Sequence, residues 1–281
     1  MEIEPTGAYR ARWGEGPLWW NGELLYVDIE GRALIRFDPV TGKETVRGLG
    51  IRVATVVPRD GGGWLIAGDG GIYFLDEFSG PLIPVANPEP DKHDNRFNDG
   101  KCSPDGRFFG GTISLAKRTG EARLYRLDHD LSMDVAFGPV TNSNGIVWSA
   151  DGTTVYYIDT PRREVLAFDY VNGALLHPRV AIDTRAVEGS PDGMAIDEGD
   201  RLWVAFCHGG CVVCFDPRHG REETRIHIPC VETTACAFGG PELDDLYITT
   251  GIHKALAEEH AGRLWVVRGL GVRGLVANTF G

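Results

Sequence analysis

Short apolar runs, each closed by a polar turn, recur along the whole chain. Leu24-Leu25-Tyr26-Val27-Asp28 is followed by Ala33-Leu34-Ile35-Arg36-Phe37-Asp38-Pro39, and Leu202-Trp203-Val204-Ala205 by Cys211-Val212-Val213-Cys214-Phe215-Asp216-Pro217. These two pairs match nearly position for position. Fainter copies begin at Trp64-Leu65-Ile66, Arg107-Phe108-Phe109, Val155-Tyr156-Tyr157 and Asp245-Leu246-Tyr247-Ile248. Runs of this length, rich in Leu, Val and aromatic residues and bounded by Gly, Asp and Pro, predict β-strands. Anchored on Leu25, Leu65, Phe109, Tyr156, Trp203 and Tyr247, the copies are spaced by 40, 44, 47, 47 and 44 residues. One four-stranded propeller blade takes about 40 to 50 residues. The pattern therefore predicts an all-β chain folded as a six-bladed β-propeller, with four-stranded antiparallel blades around a central channel and a single domain over residues 1–281. Helical spacing is confined to Lys254–His260, enough for about two turns.

Closing such a ring requires the two ends of the chain to meet in one blade, and the stretches 7–13 and 274–279 are the candidates for that pairing. The two longest irregular stretches, 84–97 and 253–262, read as loops over one face.

Composition gives the repeat a second support. Glycine occurs 38 times in 281 residues, about twice its average frequency of roughly 7%. Six blades demand many tight reversals, and glycine supplies the positive φ that hairpin turns require. Asp60-Gly61, Asp105-Gly106 and Asp151-Gly152 stand at such tips. The balance of 28 basic against 40 acidic residues leaves a formal charge of -12, which argues against nucleic acid or an anionic membrane surface as partner and favours a bound cation. No apolar run approaches the roughly 18 residues of a membrane span, and the amino terminus lacks a basic segment followed by an apolar one, so a cytoplasmic protein is expected. The oligomeric state is open, with a monomer as the default. The six cysteines lie mostly in strand-like runs and read as reduced core thiols.

One phase of the repeat carries chemistry. About ten residues before the anchor strand, four of the six copies place an oxygen-bearing side chain directly before a glycine: Glu15-Gly16, Asp99-Gly100 with Asn98 beside it, Asn144-Gly145 and Asp192-Gly193. The other two copies offer Ala54 and Thr234. In a propeller this phase lies on the innermost strand, so the side chains converge on the axis. Carboxylates meeting there repel one another unless a cation lies between them, and all-oxygen ligation suits a hard divalent ion. Turn formation and strand capping are the plainer explanation, and spacing alone does not decide between the two.

The series Gly14-Glu15-Gly16-Pro17-Leu18-Trp19, Arg96-Phe97-Asn98-Asp99-Gly100-Lys101, Ser143-Asn144-Gly145-Ile146-Val147-Trp148-Ser149, Pro191-Asp192-Gly193-Met194-Ala195-Ile196-Asp197 and Thr233-Thr234-Ala235-Cys236-Ala237-Phe238-Gly239-Gly240 resembles, in order and spacing, the motifs of the regucalcin and gluconolactonase family. The resemblance implies one divalent metal in the channel and hydrolysis of a sugar lactone (aldonolactone) to the open-chain aldonic acid. It implies Glu15, Asn144 and Asp192 as metal ligands and Arg96 and Asn98 as substrate contacts. Ca²⁺ is the expected ion, with Zn²⁺, Mn²⁺, Mg²⁺ and Fe²⁺ as alternatives. Asp192 is the candidate general base and acid. One departure stands out: the family's animal members carry acidic residues just after the third-blade strand, where this chain reads Thr112-Ile113-Ser114-Leu115-Ala116-Lys117. Lys117 or Arg118 would reverse the charge there and admit an acidic or differently substituted substrate. Two other readings stay open, a non-enzymatic calcium-binding or scaffold propeller and a metal-dependent ester or organophosphate hydrolase.

Other motifs carry less. Cys211 and Cys214 have CxxC spacing, but residues three apart on a strand face opposite sides. Cys207 and His208 adjoin the Gly209-Gly210 turn and read as turn residues, although His208 has the reach of the channel mouth. Gly189 to Gly193 is not GxSxG, and Gly61 to Gly63 and Gly68 to Gly71 lack the lysine and helix of a phosphate loop. His93 and Asp94 read as a solvated loop.

Overall fold

A computed structural model describes residues 1–253 and 256–281. Six four-stranded antiparallel sheets follow one another along the chain. Their first strands are Gly14–Trp20, Val53–Pro58, Asn95–Cys102, Ser143–Trp148, Ser190–Ile196 and Thr233–Gly239. Each packs on the first strands of the two neighbouring sheets, so the six close into a ring around a central channel. The fold is a six-bladed β-propeller. Among the described residues the one helical element is a 3₁₀ turn at Thr160–Arg162. Part of the expected helical segment, Lys254 and Ala255, lies outside the described residues, and Leu256–His260 forms turns.

The apolar repeat is the core. All six anchor residues lie on the second strands and are buried. Alternate residues of one strand face the blade before and the blade after, which yields six apolar layers, one between each pair of neighbours. Leu24 and Tyr26 join Tyr247 and Val266 between blades one and six, whereas Leu25 and Val27 join Val56 and Ile66 between blades one and two. Cys211 and Cys214 follow the same rule, one on each side of blade five, and all six cysteines are free, buried thiols.

The ring closes with a strand that apolar patterning does not reveal. Glu2–Thr6 pairs antiparallel with Leu264–Arg268 and becomes the outermost strand of blade six. Only Ile3 of this strand packs on an apolar layer, and Pro5 is tolerated on a sheet edge. The stretches 7–13 and 274–279 therefore do not pair with each other. The first leads into the inner strand of blade one, where the Asp28 carboxylate accepts the amides of Arg12 (2.9 Å) and Trp13 (3.0 Å). The second crosses the opposite mouth of the channel, with Gly274 bridged to Asp197 and Asn278 Nδ2 donating to the carbonyl of Cys102. The expected loop 84–97 is shorter, because Ile83–Ala86 is the outer strand of blade two and Asn95 begins the inner strand of blade three.

Candidate active site at the polar mouth of the channel

All six inner strands break register at the same phase of the repeat. The shifts fall between Glu15 and Leu18, Val53 and Thr55, Phe97 and Asp99, Ser143 and Ile146, Pro191 and Met194, and Thr233 and Ala235. A bulge of this kind re-aims a side chain out of the regular alternation. The glycines that follow the oxygen-bearing residues have a steric cause. A Cβ at Gly145 would stand 2.8 Å from Met194 Cγ and 2.9 Å from the carbonyl of Asp192, and one at Gly193 would lie 2.4 Å from Ala235 Cβ. Neighbouring inner strands approach too closely for a side chain there. The two copies without a charged residue or amide supply hydroxyls instead: Thr55 Oγ1 donates to the carbonyl of Gly100 (2.8 Å) and Thr234 Oγ1 to that of Gly14 (2.5 Å), tying blade to blade.

Glu15, Arg96, Asn98, Asp99, Asn144 and Asp192 are all buried at this end of the strands. Burial, then repulsion from Asp192 and Asp99, holds the Glu15 carboxyl well above the usual carboxylate range. Burial, then Asp99 and Glu232, does the same to Asp192, and burial raises Asp99. Three carboxyl groups thus share one dry site. Arg96 opposes Glu15 and Asp192, since its charge favours their ionised forms, and Lys101 does the same for Asp99, while burial itself pushes the Arg96 guanidinium down to about 10.

Amides and hydroxyls continue the site as a chain of hydrogen bonds. Arg96 Nη1 donates to Asn98 Oδ1 (2.9 Å) and to the carbonyl of Phe97 (2.8 Å). Asn98 Nδ2 donates to Asn144 Oδ1 (3.2 Å), Asn142 Oδ1 (3.1 Å) and the carbonyl of Ser143 (2.8 Å). Asn144 Nδ2 donates in turn to Thr160 Oγ1 (2.7 Å), whose own proton goes to the carbonyl of Pro191 (2.9 Å), next to Asp192. The structure therefore brings together Glu15, Arg96, Asn98, Asn144 and Asp192 with Asp99, the remaining oxygen-bearing residue of the repeat, and adds Asn142 and Thr160. Asp99 shares the Asp-Gly signature of its neighbours. Asn142 and Thr160 lie outside that phase and carry no sequence signal.

Arg96 Nε is buried and has no hydrogen-bond partner among the described residues. Such a donor costs about 1–3 kcal/mol if left unpaired, and a ligand oxygen would satisfy it. Arg96 also lines a cleft of about 240 Å³ with Arg52, Asp69, Glu89, His93 and Thr112. The third-blade stretch 112–118 brings no carboxylate to this cleft. Neither Lys117 nor Arg118 lines this cleft, and Arg118 Nη2 is paired with Asp94 Oδ2 at 2.6 Å on the exposed surface. Glu89 of the preceding loop occupies the cleft instead, its carboxylate accepting Lys92 Nζ (3.0 Å), Asn95 Nδ2 (2.9 Å) and the Tyr125 hydroxyl (2.9 Å).

Residues 13–252 match the family described as SMP-30/Gluconolactonase/LRE-like region. The chain belongs to this family. The SMP-30/gluconolactonase relatives include regucalcin of Danio rerio, 39% identical over 273 residues, covering 93% of this chain and 92% of the relative. A candidate sugar lactone lactonase of Bacillus subtilis (strain 168), YvrE, is 36% identical over 268 residues and covers 91% of each chain. Among solved structures, a calcium-binding protein, regucalcin, from Agrobacterium tumefaciens str. C58 superposes with a TM-score of 0.92 at 26% identity, covering 97% of this chain and 95% of the other. Membership of the SMP-30/gluconolactonase family supports hydrolysis of sugar lactones in general terms. No described helix is long and apolar enough to cross a membrane.

Proposed function

We propose that residues 1–281 form one domain that hydrolyses an aldonolactone to its aldonic acid at the polar mouth, with one divalent cation held by Glu15, Asn144 and Asp192. The observation that carries this reading is the meeting of three buried carboxyl groups, Glu15, Asp99 and Asp192, with the buried and partly unpaired donors of Arg96. A site of oxygen ligands only suits a hard ion, and Ca²⁺ is the choice these ligands favour. Burial and crowding that hold protons on Glu15 and Asp192 are what a divalent charge would offset, so the residues present fit such an ion.

A bound divalent ion would supply Lewis acidity for the lactone carbonyl and neutralise the carboxylates around it. The remaining work falls to the chain. Asp192 takes the proton of the attacking water and returns it to the departing ring oxygen, and its buried position keeps that proton from bulk solvent. Arg96 Nε, free to donate, receives a substrate oxygen, and Asn98 holds the guanidinium in place through its bond to Nη1. Asn142 and Thr160 lock the two asparagine amides, so that Asn144 presents Oδ1 rather than nitrogen to the site. The cleft beside Arg96, edged by Glu89 and Lys92, would read the sugar hydroxyls.

The experiment is a panel of aldonolactones offered to metal-stripped protein reloaded with Ca²⁺, Mg²⁺, Mn²⁺, Fe²⁺ or Zn²⁺, with acid release followed by a pH indicator. Activity restored by one or more ions supports the reading, and full activity in the stripped protein overturns it. A second reading, a calcium-binding propeller without catalysis, draws on the name of the Agrobacterium protein. It would be upheld by calcium binding with no lactone turnover across the panel.

A further inference from the structure

A second cluster of ligand atoms stands at the rim of the same mouth, on residues that the oxygen site does not use. Cys207, His208 and Glu232 each offer one atom, and the three atoms lie within 4.8 Å of one another. His208 Nδ1 is 2.6 Å from Glu232 Oε2, Cys207 Sγ is 3.3 Å from Glu232 Oε2, and Sγ is 3.8 Å from Nδ1. Around a tetrahedral ion with bonds of about 2.0–2.3 Å, ligand atoms stand about 3.3–3.8 Å apart. Two of the three separations already have that length. Only the His208–Glu232 pair, now in direct contact, would have to open by about 1 Å.

The backbone holds this arrangement in place. Cys207 ends the second strand of blade five and forms an antiparallel bridge with Glu232, on the segment leading into the inner strand of blade six. His208 follows with φ 64, a left-handed conformation uncommon for a residue with a side chain. Comparison with the other blades sharpens the point. Asp28 and Asp159 occupy the register position of Cys207, opposite Gly14 and Ser143 as Cys207 is opposite Ser190. Those aspartates accept backbone amides of the segment leading into their inner strand, Arg12 and Trp13 in one blade and Thr141 and Asn142 in the other. In blade five a thiol stands at that position and turns to a carboxylate and an imidazole instead.

We infer that Cys207, His208 and Glu232 form a second metal site, distinct from the oxygen site and selective for a borderline transition ion such as Zn²⁺ or Co²⁺. Thiolate, imidazole and one carboxylate are the donor types such ions take, and Ca²⁺ and Mg²⁺ do not take thiolate. Three protein ligands would leave one position open, and Cys207 adjoins the Asp192 carboxyl of the oxygen site. Without an ion, the imidazole serves as the partner of buried Glu232.

The test is a titration of metal-stripped protein with Co²⁺, read by near-ultraviolet thiolate-to-cobalt absorption and by bound metal per chain. The expected result is a thiolate band in the wild type that excess Ca²⁺ does not remove. Cys207→Ser abolishes the band, and Glu232→Gln and His208→Ala each weaken Co²⁺ binding at this site by more than about tenfold, the least that loss of even an outer-sphere partner costs. Cys230→Ser, which changes the neighbouring buried thiol, keeps it. Glu15→Gln also keeps the band while reducing the bound metal by the ion of the oxygen site, which separates failure of this inference from failure of the oxygen-site reading. Absence of the band in cobalt-loaded wild type, or its survival in folded Cys207→Ser, overturns the inference. Should Cys207→Ser not fold, an undiminished band in Glu232→Gln overturns it as well.

Discussion

The two mouths of the channel are made from opposite ends of the same six strands. At one end stand Glu15, Asn144, Asp192 and Thr234, and four residues further along stand Trp19, Trp148, Ile196 and Phe238. The second set lines a cavity of about 740 Å³, with Val56, Met194, Leu275 and Val276 among its walls and the carboxyl-terminal segment across it. Most walls of this cavity are apolar and contribute by filling space, and Asp99 and Lys101 reach it from the channel between the two mouths. At the polar mouth burial works against the fold, since three carboxyl groups and a guanidinium are kept from water, and in the proposed reaction identity matters because each group has a separate chemical task.

The largest expected effect is chemical. Asp192→Asn keeps the size and the oxygen of the side chain but removes the proton acceptor, and kcat for lactone hydrolysis should fall by about 10²–10⁴-fold, the usual contribution of a general base. Initial rates on the most active lactone measure it, and an unchanged rate would remove Asp192 from that role. The matching change at the other mouth is Phe238→Ala. Phe238 packs edge-on against Trp203, with ring centroids 5.7 Å apart, and its truncation should cost about 3–5 kcal/mol of stability. The folded fraction should hydrolyse lactone at the wild-type rate. If calorimetry shows an unchanged transition while kcat collapses, the division of labour between the mouths is wrong.

A smaller effect is expected at Arg96. Arg96→Gln removes the buried Nε donor and the bond to Asn98, and a charge-assisted hydrogen bond is worth about 1.5–3 kcal/mol. That corresponds to a fall in kcat/KM of about 10- to 150-fold, seen as a KM effect if Arg96 holds substrate and as a kcat effect if it serves the transition state. A variant with wild-type kcat/KM would leave Arg96 as a structural group only.

The same contrast explains what could be read from the sequence. The blades were legible because the second strands are buried on both faces and write continuous apolar runs such as Leu24–Val27 and Leu202–Ala205. The oxygen-bearing residues were legible because close packing of the inner strands demands glycine after them, as Gly145 and Gly193 show. Glu2–Thr6 was not, because an exposed outer strand needs no apolar pattern and its partner is about 260 residues away in the chain. Glu232 was missed for a related reason. It meets Cys207 and His208 only through a bridge between neighbouring blades, and nothing in Val231-Glu232-Thr233 records that contact.

The last prediction concerns the cost of the polar mouth in metal-free protein. Burial first, then repulsion from neighbouring carboxylates (Asp192 and Asp99 for Glu15, Asp99 and Glu232 for Asp192), raises both above their unfolded values. In the pH range between the ordinary carboxylate value and the raised one, the folded state holds more protons than the unfolded state. Stability is then fully present below the unfolded pKa and is lost as pH rises through the folded one. Metal-free protein should therefore melt at progressively lower temperature from about pH 4 upward, whereas the Phe238→Ala defect at the apolar mouth should shift the whole profile without changing its slope. Asp99→Asn should flatten the slope, because Asp99 contributes to the repulsion on both groups. Ca²⁺ should flatten it further by taking the place of the protons, and at a free concentration about 100 times its Kd it should restore about 2.7 kcal/mol. Scanning calorimetry across pH, with and without Ca²⁺, reads all three slopes. A metal-free melting temperature that climbs with pH through this range would mean that the three carboxyl groups do not crowd one another, and the case for a cation between them would lose its electrostatic basis.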